Sequence, residues 1–140
     1  MPEIKSLVDI NVFEDVFRRR RGWRASEAVI RAVRRGDVIG YVSALTPPIL
    51  YFFRTHYHTE AEARRLTRTI LRRFRVVSLT PRILTAAYAS VMPDFEDAIQ
   101  YESARAARAD YVGTRNLQHF TLSDVPAISP EDFLQMLRAT

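Results

Sequence analysis

Apolar positions along the chain alternate between short continuous runs and stretches spaced three to four apart, which predicts strands separated by helices. Residues 6–10 read as a short strand, and the helix that follows, residues 11–18, carries Val12 and Val16 beside Phe13 and Phe17. Gly22 ends an arginine run, after which Ala25, Ala28, Val29, Ala32 and Val33 mark one face of a helix over residues 23–35, closed by Gly36. Residues 38–43 are apolar throughout, as buried parallel strands tend to be. Thr46 and Pro47 then open a helix to about residue 56, and Thr59 caps another over residues 61–74, with Leu66, Ile70, Leu71 and Phe74 turned inward. Trp23, Tyr51, Phe52 and Phe53 read as core.

The second half repeats the alternation. A strand is expected at residues 76–79, helices at 81–90 and 93–108, a strand at 111–113 and a short one at 126–128. Ser129 and Pro130 open a closing helix through Leu137. This order predicts an α/β fold of three α/β/α layers, with a mainly parallel central sheet of four or five strands, in a single domain spanning residues 1–140. Sites in such sheets form beyond the carboxyl ends of the strands.

Composition narrows the chemistry. The absence of cysteine removes disulfides, thiolate ligands and cysteine nucleophiles, and it fits a reducing cytoplasm. Residues 1–17 lack the basic and apolar regions of a signal peptide, and no stretch is apolar enough for a membrane span, so cytoplasmic localisation is expected. The net charge of +5 favours an anionic partner. Of 21 basic residues only Lys5 is not arginine, a bias that suits phosphate contacts and equally reflects base composition. Arg18, Arg19, Arg20 and Arg21 form one basic run; Arg64, Arg65, Arg68, Arg72, Arg73 and Arg75 form a second basic face. Each is a candidate for nucleic acid or a solvated surface.

Three acids stand out. Asp9 follows a buried apolar triplet, where a carboxylate is costly unless it is paired, hydrogen-bonded or bound to a cation, although it also suits the cap of the next helix. Asp94 and Asp97 share a face in the first turn of a late helix, where acids also complement the helix dipole. Brought together, such carboxylates repel unless a hard cation such as Mg²⁺ or Mn²⁺ intervenes. Asn116, past the fourth strand, is a possible neutral oxygen ligand or a turn residue, and Arg115 beside it could meet a phosphate. His56 and His58 lack the spacing and third ligand of a zinc site.

Leu7-Val8-Asp9-Ile10-Asn11-Val12-Phe13, Tyr41-Val42-Ser43-Ala44, Tyr51-Phe52-Phe53-Arg54, Asp94-Phe95-Glu96-Asp97-Ala98-Ile99-Gln100 and Asp110-Tyr111-Val112-Gly113-Thr114-Arg115-Asn116, in that order, resemble the PIN-domain family, as does the closing stretch from Pro126 to Leu134. The resemblance implies a PIN-like fold and a Mg²⁺- or Mn²⁺-dependent endoribonuclease that cleaves phosphodiester bonds through metal-activated water. It implies a prokaryotic toxin with an antitoxin partner, and a homodimer. It places the catalytic, metal-holding acids on Asp9 and Asp97, with Asp94 auxiliary, Asn11 a polar neighbour and Asn116 at a fourth position. The second acid of the family falls on Ile49, which can neither bind a metal nor accept a proton. That departure keeps open an alternative, a catalytically degraded PIN fold that binds RNA or protein without cutting.

Overall fold

The computed structural model describes residues 3–121 and 124–140. Five strands, β1 (Lys5–Val8), β2 (Ile39–Ser43), β3 (Arg75–Val77), β4 (Tyr111–Gly113) and β5 (Ala127–Ile128), form one sheet in the order β3-β2-β1-β4-β5, every pair parallel. Among the described residues seven α-helices connect and cover them: α1 (Ile10–Arg18), α2 (Trp23–Arg35), α3 (Thr46–Tyr57), α4 (Glu60–Arg73), α5 (Pro81–Ala89), α6 (Phe95–Ala106) and α7 (Pro130–Ala139). The chain winds outward from β1 through β2 to β3, then crosses to β4 on the other side of β1. The switch point of the sheet therefore lies between β1 and β4, where Asp9 and Thr114 leave their strands.

Strand alternation divides the core. Leu7 and Val112 point to the layer of α5 and α6 and pack with Ile83, Ile99 and Tyr101. Val8 and Val42 point to the opposite layer and pack with Val12, Phe13, Val29, Leu50, Ile70 and Phe133. Gly40 permits that second layer to close, since a Cβ there would meet Val33 at 2.7 Å and Phe74 at 2.9 Å. Polar side chains cap several helices as their residue types dictate: Thr59, Thr80, Asp94 and Ser129 each accept a backbone N–H from the first turn of α4, α5, α6 and α7.

Several boundaries differ from the expectation. Strand β1 stops at Val8 and Ile10 already belongs to α1, because the run of apolar residues continues through a change from strand to helix. Thr46 lies inside α3 and makes no capping bond. Strand β3 begins at Arg75 and excludes Leu79, which instead packs beside the α5–α6 layer. Leu71 is 57% exposed and Phe52 is 61% exposed, so neither is core. Both lie on the pair α3 and α4, whose inward faces are supplied by Leu50, Ala63 and Ile70. No described helix is long and apolar enough to cross a membrane.

Candidate functional site

Asp9 is fixed at the end of β1 by its own backbone, whose N–H donates to Gly113 O at 2.9 Å and extends the β1–β4 ladder by one residue. Its carboxylate is 1% exposed. It occupies the N-cap position of α1 but its side chain makes no capping hydrogen bond. Instead Oδ2 accepts from the Thr114 hydroxyl at 2.8 Å, and Oδ1 is buried without a hydrogen-bond partner. Burial pushes the carboxyl up to about 7; the Thr114 hydrogen bond opposes that, and the charge of Asp97 adds to it. An orphaned, buried carboxylate oxygen is costly in a folded protein and needs a proton or a cation.

Asp97 approaches from α6. Asp94 caps that helix by accepting Asp97 N–H at 3.0 Å, so one of its two oxygens serves the backbone, as helix-terminus chemistry alone predicts. Asp97 itself lies one turn in, half-buried, with its carboxyl raised first by burial and also by Asp94. His119, on the short 3₁₀ turn Leu117–His119, places Nδ1 2.6 Å from Asp97 Oδ2 and opposes that rise. Behind it, Gln100 on the same face of α6 donates to Thr46 at the start of α3 at 3.3 Å, and Gln100 Oε1 is another buried oxygen without a partner. This bond joins the first turn of α3 to the second turn of α6. Ile49 lies three residues along α3 from Thr46 and is half-buried.

Among the described residues, no group of three or more His, Cys, Asp or Glu stands close enough to hold a metal ion. The donors that remain are Asp9 with its free oxygen and Asp97. Two carboxylates suit a small hard cation that keeps most of its water and completes its shell on a phosphate, rather than an all-protein cage.

The alternating topology, the acids at the switch point and the order of the elements agree with a match of residues 5–118 to the PIN domain model. The chain belongs to the PIN domain family. No functionally curated protein matches it in sequence. Among solved structures, a toxin–antitoxin complex from Klebsiella pneumoniae contains a similar chain at 22% identity, with a TM-score of 0.66 over 89% of this chain and 97% of that one. VapBC-1 from nontypeable Haemophilus influenzae aligns at 15% identity and a TM-score of 0.68, over 91% and 99% of the two chains. VapBC2 from Rickettsia felis, bound to a DNA fragment from its promoter, aligns at 8% identity and 0.67, over 90% and 98%.

Within this PIN domain, Thr114 is a hub absent from the expected site residues. Its hydroxyl donates to Asp9, while its oxygen accepts Asn11 Nδ2 at 3.3 Å and Asn116 N–H at 3.0 Å. Asn116 thus reaches the cluster through its backbone. Gln100 was detectable by spacing, since it lies three residues from Asp97 on the same helix.

Arg115 is engaged within the fold. Expected against nucleic acid, its guanidinium is taken up inside the protein: Nε donates to Asp15 Oδ2 at 2.9 Å, and the terminal nitrogens bind Glu131, Gly22 O and the hydroxyl of Ser26. Asp15 is buried, so this pairing satisfies a carboxylate rather than a phosphate. Gly22 must be glycine for this clamp, with φ at +85° and a would-be Cβ 2.8 Å from Arg115. By holding Gly22, Arg115 brings the run from Arg18 to Arg21 to the end of the sheet where Asp9 lies. Those four arginines are exposed; Arg19 stacks over Trp23 at 4.1 Å, and Arg20 lies 3.8 Å from Glu14.

Proposed function

We propose that this PIN domain is a metal-dependent endoribonuclease and the toxin of a toxin–antitoxin pair. The observation that carries the reading is Asp9 Oδ1, buried and unpartnered at the switch point, with Asp97 on α6 near enough for its charge to act on Asp9. Asp9 and Asp97 would hold the ion, Mg²⁺ or Mn²⁺, with Asp94 and Asn116 at its margin. When bound, the ion supplies an activated water and neutralises charge on the scissile phosphate.

The chain's own residues do the rest. Thr114 keeps Asp9 in one orientation, and Asn11 and Asn116 keep Thr114 in place. His119 fixes the outer oxygen of Asp97. The exposed arginines Arg18, Arg19, Arg20 and Arg21 lie at the same end of the sheet and would bind the RNA backbone as point contacts that set register without reading sequence. The toxin assignment rests on likeness in fold to chains from toxin–antitoxin complexes, and an antitoxin is the partner it implies.

The test is cleavage of RNA with Mn²⁺ or Mg²⁺, compared with the Asp97→Asn variant. Loss of cleavage in the variant and on chelation is expected; cleavage that survives both would remove the proposal.

A second reading is favoured by Ile49 and by the lack of a three-donor group among the described residues. In it the fold has lost catalysis and binds RNA or a protein. Titration calorimetry with Mn²⁺ separates the two: heat that disappears in Asp9→Asn belongs to the first reading, and no heat at millimolar metal belongs to the second.

A further inference from the structure

Between α1 and α3 lies a cavity of about 370 Å³, walled by the rings of Phe17, Phe53 and Tyr57 and edged by Glu14, Arg18 and Arg54. Its polar groups are poorly satisfied by the protein. Arg54 lies 4.5 Å over the Phe17 ring, its Nε is buried without a hydrogen-bond partner, and its nearest carboxylate, Glu62, is 3.9 Å away. Glu14 is half-buried and makes no hydrogen bond among the described residues; its closest cation, Arg20, is 3.8 Å away. Arg18 leans over Phe53 at 5.8 Å. Aromatic walls beside a carboxylate and a guanidinium whose protein partners are ion contacts of only 3.8 and 3.9 Å describe a recognition cavity, because both groups keep hydrogen-bonding capacity for a ligand.

The cavity lies close to Asp9, since Glu14 stands one turn along α1 from Ile10, the residue that follows Asp9. Its occupant should be flat, aromatic and able both to donate to a carboxylate and to accept from arginine. Nucleobases meet the first condition and stack on aromatic walls. Guanine best meets the others, since N1–H and the N2 amino group lie side by side for one carboxylate, while O6 and N7 accept from arginine.

We propose that this cavity binds a guanine of the RNA substrate next to the scissile phosphate, with Glu14 and Arg54 reading its edge and Phe17, Phe53 and Tyr57 enclosing its ring. This rests on the nuclease reading for the word substrate, but not for the binding of the base. Arg18 is then placed for the phosphate of the same nucleotide.

The test uses the whole chain and the four nucleoside 5′-monophosphates as probes, with binding followed by calorimetry. GMP should bind at least about ten-fold more tightly than AMP, CMP or UMP. Glu14→Gln, an isosteric change, should weaken GMP by a similar factor and erase the preference. Phe53→Leu should weaken all four, and a thermal melt of each variant establishes that it is folded. Equal affinity for the four nucleotides, GMP binding unchanged in Glu14→Gln, or no GMP binding at millimolar concentration would each overturn the proposal. The last of these is also the result expected if the cavity instead receives a side chain of a protein partner. Mapping of cleavage sites separates this proposal from the nuclease reading. Cleavage that needs Mn²⁺ and Asp97 but ignores guanine sinks the guanine site alone; selective GMP binding without any cleavage upholds the site and sinks the nuclease.

Discussion

The Thr114 hydroxyl donates to Asp9 Oδ2 at 2.8 Å across the gap between β1 and β4, and it is the only hydrogen bond that the Asp9 carboxylate receives from a side chain among the described residues. Both residues are buried, so the bond sits at the point where the sheet's two halves diverge. Replacing Thr114 by valine keeps the shape but leaves the second oxygen of Asp9 orphaned as well. The variant is expected to lose ~1–3 kcal/mol in urea denaturation and to move the Asp9 carboxyl further up. Carbon-detected NMR titration reads the second effect, and an unchanged Asp9 titration would show that the bond does not matter.

The elevated carboxyl of Asp9 predicts a pH dependence whose sign follows from linkage. Its pKa rises from 3.8 to about 7 in the folded protein, so the folded state holds the proton more tightly than the unfolded chain does. The Asp9 contribution therefore becomes increasingly unfavourable as pH rises from about 4 to 7, and it levels off above that. Compared with wild type, Asp9→Asn should gain relative stability across this window and nowhere else. Denaturation curves at several pH values check it, and parallel curves for the two proteins would contradict it.

A divalent ion should reverse this penalty, because it takes the place of the proton at Oδ1. Mn²⁺ at a hundred-fold excess over its Kd would add ~2.7 kcal/mol to the folded state. The melting temperature should rise with Mn²⁺ near neutral pH, fall back on chelation and stay flat in Asp9→Asn. A rise of the same size in that variant would place the ion elsewhere.

Arg115 joins β4, α1, α2 and α7 through Asp15, Gly22 and Glu131, and removing it leaves the buried Asp15 with the Ser26 hydroxyl at 3.2 Å and Arg20 at 3.9 Å. Arg115→Met should cost ~3 kcal/mol, and Arg115→Lys should recover little, since one ammonium cannot reach all of these acceptors. Adding Asp15→Asn to Arg115→Met should restore part of the loss, and a strictly additive double variant would show that the two residues are not coupled.

The fold was legible because strand and helix rhythms differ most where a parallel sheet is buried on both faces. Leu7, Val8 and Val42 announced the sheet, and Phe13, Val29 and Ile70 announced the helices that cover it. The rhythm misleads where an apolar side chain lies at a surface, as with Phe52 and Leu71, because periodicity locates a helix face without saying what covers it. Asp9 was legible as a carboxylate out of place, and Asp97 by its helical spacing. Thr114 and His119 were not, because a hydroxyl and an imidazole beyond a strand end gain meaning only from a partner distant in the chain, 105 residues away for Thr114 with Asp9 and 22 for His119 with Asp97. The partners of Arg115 were hidden for the same reason: an arginine beside a strand end looks free until Asp15 and Glu131 are seen to pair with it.

Ile49 offers the sharpest way to ask how far the metal site has been reduced. The Thr46–Gln100 hydrogen bond brings the first turn of α3 against the second turn of α6, and Ile49 and Asp97 each stand three residues from that contact. Residues three apart on a helix share a face, so a carboxylate at position 49 would be directed toward the neighbourhood of Asp97. Ile49→Glu should then add a third oxygen donor and raise Mn²⁺ affinity by on the order of ten-fold, at a modest cost in stability without metal from added like-charge repulsion. Calorimetric titration of wild type, Ile49→Glu and Ile49→Gln reads the outcome. A gain confined to glutamate would show that the chain retains the frame of a fuller acidic site and lacks one ligand; equal affinities in all three would mean that α3 no longer points at the metal.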